Sequence, residues 1–184
     1  MSMQSRGSVR RDEYGSRIDR RHSVILAYSI PYLSILLGSL FPMFFVATAV
    51  PLLPPLGLMM LVSWRLVRPG ILPVWAGFPL GLFDDLFSGY PFGSAVMLWS
   101  LAMLAIELIE ARFPWRGFLQ DWFTGNFILL AYLLLATLLS GAALGVPLFK
   151  ALVPQLLLTM LMFPIVSRMI ALLDRLRLTR MRAP

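Results

Sequence analysis

The chain has 184 residues, of which 59% are hydrophobic and 14% charged. A soluble domain averages about 45–50% apolar and about 25% charged, so these side chains are too greasy to cover a water-facing surface, and lipid is the solvent most of that surface requires. Cysteine is absent, which excludes disulfides and thiolate metal sites. The net charge of +7 is a topology signal rather than a nucleic-acid one, because the arginines gather at the ends of apolar runs.

Residues 1–22 are polar and rich in arginine, and they read as a flexible basic tail. From Ser23 to Trp64 there is no charge at all. One helix crossing a hydrocarbon core needs roughly 20 residues, so this stretch predicts two. Pro42, Pro51, Pro54 and Pro55 mark the break, which places the first helix near 24–41 and the second near 52–66. Arg65 and Arg68 end the second helix, and Pro69-Gly70 turns the chain. A third helix is predicted over about 71–87, bent by Pro73 and Pro79. Ser88 to Gly93 reads as a tight turn. The fourth helix is predicted near 94–109, closed by Arg112, Pro114 and Arg116. A fifth covers about 122–144, Gly145-Val146-Pro147 turns the chain, and a sixth covers about 148–172. A second basic tail, 174–184, follows the transmembrane domain, 23–173.

Charge tests this layout. Lys and Arg collect in short cytoplasmic loops. With the N-terminus inside and six crossings, every arginine falls on the cytoplasmic side, and Lys150 alone lies outside. Trp64, Trp75, Trp115 and Trp122 then fall near inner ends, as an interfacial aromatic belt requires. The expected fold is an all-α integral membrane protein, a six-helix bundle with both termini cytoplasmic.

Gly77, Gly81, Asp85 and Gly89 recur every four residues, which on a helix makes one slowly drifting stripe. Small residues there admit a close neighbour. Asp85 lies about 14 residues from the inner end, some ~21 Å at a rise of about 1.5 Å per residue. It therefore belongs in the outer leaflet or near the outer interface, facing the bundle or a wet crevice and paired or hydrogen-bonded. Asp84 points about 100° away from it. At the inner ends, Glu107 and Glu110 share a helix face and are expected to pair with Arg65, Arg68 or Arg112. Asn126, Thr137, Ser140, Gln155 and Thr159 are expected to hydrogen-bond between helices, and Gly141-xxx-Gly145 is a second candidate for close approach. His22 is the only histidine. No metal-binding, nucleophile-elbow, phosphate-loop or dinucleotide pattern occurs, so no enzyme, cofactor or metal is expected. The arginine-rich C-terminal segment is expected to meet anionic lipid rather than nucleic acid.

The segment Gly81-Leu-Phe-Asp84-Asp85-Leu-Phe-Ser88-Gly89-Tyr90-Pro91-Phe92-Gly93 resembles the hallmark of the rod shape-determining protein MreD family. That family carries a G-x-x-x-D-x-x-x-G-x-P-x-G-like turn between its third and fourth helices. Gly81, Asp85, Gly89, Pro91 and Gly93 fill those positions. The proline-led second helix ending in Trp64 and a basic residue, the short length and the inside termini resemble it too. The likeness covers roughly 24–175 in architecture and about 51–110 in motif. Asp84 departs from the usual apolar residue, which leaves two neighbouring carboxylates for the family's one position, and the arginine tail is longer than in many relatives. The resemblance implies a non-enzymatic subunit of the complex that directs lateral cell-wall synthesis at the bacterial inner membrane. Its implied partners are MreC above all, then MreB, RodA and a class B penicillin-binding protein. It also implies a fold similar to the substrate-binding subunits of energy-coupling-factor transporters. The alternative expectation is therefore a small-molecule-binding subunit of such a transporter, which would need a polar cavity near the midplane.

Overall fold

The computed structural model describes residues 24–45, 53–89, 91–113, 117–141 and 145–178. The described residues are helical, with no strand among them: α1 (Val24–Leu40), α2 (Leu56–Val67), α3 (Gly77–Asp85), α4 (Ser94–Arg112), α5 (Phe118–Leu139) and α6 (Val146–Leu178). Short 3-10 turns follow α1 at Phe41–Phe45 and precede α3 at Val74–Ala76. The polar N-terminal tail, His22, Trp115, Arg116, Arg180 and Arg182 lie outside the described residues.

Three segments are long and apolar enough to cross a membrane: Ser94–Arg112, Phe118–Leu139 and Lys150–Arg177. Their outward faces are as apolar as their inward ones. Leu101, Leu104 and Leu108 on α4, Phe123 and Phe127 on α5, and Leu157, Leu161 and Ile165 on α6 are all exposed. Water would not tolerate such continuous apolar stripes on a monomer's surface.

α2 is the central element. Its 12 residues rise only ~18 Å at about 1.5 Å per residue, short of the roughly 30 Å of a hydrocarbon core. Leu58, Met59, Leu61, Val62 and Trp64 are completely buried, with α1, α4, α5 and α6 packed around them. Pro54 and Pro55 explain the late start. Proline suits the entry to a helix but disfavours helical backbone in the residue before it, so the expected start at 52 gives way to Leu56. Before α2, Gln155 on α6 donates from Nε2 to the Leu53 carbonyl at 2.9 Å, satisfying a backbone group outside any helix.

The third helix differs most from expectation. A bent 17-residue rod is replaced by a 3-10 turn and nine helical residues. Pro73 adopts extended backbone before the turn, and Pro79 falls in the first turn of α3, where a missing N–H costs nothing. Neither proline bends a long helix; both define where a short one begins. α5 starts at Phe118 rather than 122, since Asp121 in its first turn complements the helix dipole. It ends at Leu139, because Gly141 takes a φ of 70° just beyond it. A Cβ on Gly141 would touch nothing within 4 Å, so this glycine stops a helix instead of packing one. α6 runs 33 residues to Leu178 with Pro154 and Pro164 inside it, and the expected boundary between bundle and tail at 173/174 falls within a continuous helix.

Candidate functional site

The Gly/Asp stripe divides into three jobs. Gly77 and Gly81 lie against α4. A Cβ on Gly77 would stand 2.9 Å from the Trp99 carbonyl oxygen, and one on Gly81 would stand 2.7 Å from that of Ala95. Both obstacles are backbone, so only glycine lets α3 and α4 approach this closely. Gly89 and Gly93 do something different: their φ angles are 70° and 92°, and nothing lies within 4 Å of where a Cβ would be. They bend the connection, which L side chains resist in that region. Between them Pro91 is exposed, and its carbonyl accepts the Ser94 N–H at 3.0 Å.

Asp85 is buried, with 6% of its surface exposed. Its carboxylate accepts the backbone N–H of Gly93 at 3.0 Å, of Ala95 at 2.8 Å and of Val96 at 3.1 Å, and the Ser94 hydroxyl donates at 3.4 Å. The first N–H groups of a helix have no acceptor within it and carry the positive end of its dipole. Asp85 supplies that acceptor from the end of α3, across an eight-residue turn, and both its oxygens are engaged. Gly93, the residue before α4, offers no side chain to do so. Asp85 lies nine residues ahead of the start of α4, with Gly89, Pro91 and Gly93 between them.

At the opposite end of the bundle, charge gathers from three helices. Arg65 on α2 is 3% exposed. Its guanidinium pairs with Glu107, lies 3.4 Å from a Glu110 oxygen, and donates to the Leu72 carbonyl at 3.3 Å. Arg68 pairs instead with Asp174 on α6 at 2.8 Å, and Arg177 reaches the other Asp174 oxygen at 3.1 Å. The Arg177 guanidinium also lies 6.0 Å from the Trp64 ring centroid. Arg112 is exposed and enters no ion pair among the described residues. The sequence places Asp174 and Arg177 in a tail; a continuous α6 brings them back over α2.

Trp64 is fully buried rather than facing outward, and its indole N–H donates to Ser34 on α1 at 2.8 Å, whose hydroxyl donates on to the Pro31 carbonyl. Trp75, by contrast, is exposed. Of the five polar residues expected to join helices, Gln155 alone reaches beyond its own helix among the described residues. Asn126, Thr137, Ser140 and Thr159 all donate to carbonyls three or four residues earlier, which is the nearest way to satisfy a polar group in an apolar setting.

A cavity between α2, α4 and α5 is lined by Leu66, Ile106, Glu110, Gln120, Asp121 and Thr124 and has a volume of about 10 Å³, room for one water. It sits at the arginine-rich end, away from the middle of the helices. No family model, curated protein or solved structure matches the chain.

Proposed function

We propose that this chain is a non-enzymatic scaffold of a bacterial cell-wall elongation complex, lodged in the inner membrane by six crossings with both termini cytoplasmic. The segment 81–93 carries this reading. Its Gly, Asp and Pro positions resemble the MreD hallmark, and each holds a distinct place in one capped corner between α3 and α4. A scaffold needs a fixed shape at its docking end, and a helix start clamped by a buried carboxylate has one.

The short α2 and α3 are compatible with crossing. Non-helical backbone is tolerated at membrane depth where protein surrounds it. α2 is surrounded, and the segment before it is hydrogen-bonded by Gln155. The arginine-rich end then lies at the cytoplasmic face, where Arg68 is open to the headgroups while Arg65 and Arg177 are held inward by their acids.

The partners proposed are MreC first, then MreB, RodA and a class B penicillin-binding protein. Affinity purification of the tagged full chain from its native membrane tests this. Recovery of a wall-synthesis protein is expected. Recovery of a stoichiometric vitamin-like ligand and no such protein would contradict it and favour a transporter subunit.

A further inference from the structure

The two faces of α6 treat arginine in opposite ways. The inward face runs through Phe163, Val166, Ile170 and Asp174, all buried. There Arg177 and, from α2, Arg68 share the Asp174 carboxylate. The opposite face runs through Leu161, Ile165, Arg168, Leu172 and Arg175, all exposed. Steps of four and three residues keep these five within one arc of ~80°, at about 100° per residue. Arg168 and Arg175 make no ion pair among the described residues. The chain thus supplies acids to the arginines it turns inward and none to these two.

Depth decides what can cover the outward face. Lys150–Arg177 holds 28 residues, ~42 Å at about 1.5 Å each, against the roughly 30 Å of a hydrocarbon core. In the orientation proposed above, about 20 residues counted from Lys150 fill that core, which ends it near 170. The Arg68–Asp174 pair, just beyond the last turn of α2, marks the same level from the cytoplasmic side. Leu172 and Leu176, 58% and 62% exposed, therefore stand at or past the edge of the acyl chains, with Arg168 and Arg175 beside them. A lipid phosphate can neutralise the guanidiniums, but a headgroup does not cover leucine. A second copy of this chain sets arginine against arginine. A helix whose apolar face carries carboxylates about one heptad apart meets both requirements.

We propose that the outward face of α6 at Arg168, Leu172 and Arg175 docks an acidic amphipathic helix of a partner protein, which packs on Leu172 and pairs with the two arginines. The site rests on the scaffold reading above and lies at the cytoplasmic end, away from the α3–α4 corner. It also gives the charge cluster behind it a role: Asp174, held by Arg68 and Arg177, fixes the rotation of α6 that turns Arg168 and Arg175 outward.

The test places a photoreactive phenylalanine analogue at Leu172 of the full chain in its native membrane and maps the adduct by mass spectrometry. A partner peptide with Asp or Glu within one heptad of the adduct is expected. Two exposed ion pairs are at stake, so its yield should fall about fivefold to tenfold when Arg168→Gln and Arg175→Gln are combined. It should hold when both become Lys, and return with Arg168→Glu and Arg175→Glu once the partner's acids are changed to Lys. Equal yield in the double glutamine variant overturns the proposal. So does an adduct confined to phospholipid, to a second copy of this chain, or to a partner segment without acids. If no such adduct forms but affinity purification still recovers a wall-synthesis partner, the α6 assignment alone fails. If neither yields a partner, the scaffold reading fails with it.

Discussion

Replacing Asp85 by Ala removes one acceptor from four donors at the start of α4. A hydrogen bond to a charged group contributes about 1.5–3 kcal/mol, and losing a helix cap costs about 0.5–2 kcal/mol. The bonds share one carboxylate, and its removal also relieves a buried charge, so their energies do not simply add. A net loss of about 3 kcal/mol is the reasonable figure. At this chain length each kcal/mol moves Tm by about 2–4 °C, which predicts a fall of about 6–12 °C. Thermal unfolding of the purified protein in detergent, followed by tryptophan emission, reads it. Asp85→Asn keeps one acceptor oxygen and should lose roughly half as much. Asp84→Ala removes a carboxylate that holds no helix start and should shift Tm by less than about 2 °C. Equal shifts for the two alanine variants, or no shift for Asp85→Ala, would refute the argument.

Gly81→Ala sets a methyl 2.7 Å from the Ala95 carbonyl oxygen, which forces α3 off α4 at a cost of about 1–3 kcal/mol. Gly89→Ala meets no atom and should cost only the roughly 1–2 kcal/mol of its left-handed backbone; thermal unfolding of the pair separates packing from turn strain. Arg65→Met removes the buried cation that Glu107 pairs with. Breaking a buried pair costs about 3–5 kcal/mol, reduced here to about 2–3 because Glu107 is half-exposed. Glu107→Gln, which leaves Arg65 with Glu110 and the Leu72 carbonyl, should cost under about 1 kcal/mol; chemical unfolding in detergent compares the two.

Charge-free runs and proline clusters located most helices closely. α1 was expected at 24–41 and spans Val24–Leu40, and α4 was expected to begin at 94 and does. Proline's position within a helix was harder to read. Pro79 in a first turn and Pro79 in a bend look alike in sequence, and only the packing of Gly77 on Trp99 shows which holds. Periodicity placed Asp85 on the Gly77–Gly81 face, and that was correct geometry. It was silent on what meets that face, because the partner is backbone N–H, which no side-chain pattern reveals. The same blindness hid Asp174 and Arg177: a charge after an apolar run reads as tail until a long helix is seen to carry it over α2.

The account stands on a chain threaded through a bilayer with its arginines inside. The native sequence has no cysteine, so single cysteines report position without background. Phe92→Cys, at an exposed site in the α3–α4 turn, should react with a membrane-impermeant maleimide applied from outside to spheroplasts. A cysteine appended after residue 184 should react only once the membrane is permeabilised. Labelling of the appended cysteine in intact spheroplasts, with Phe92→Cys protected, would contradict the orientation and everything assigned from it.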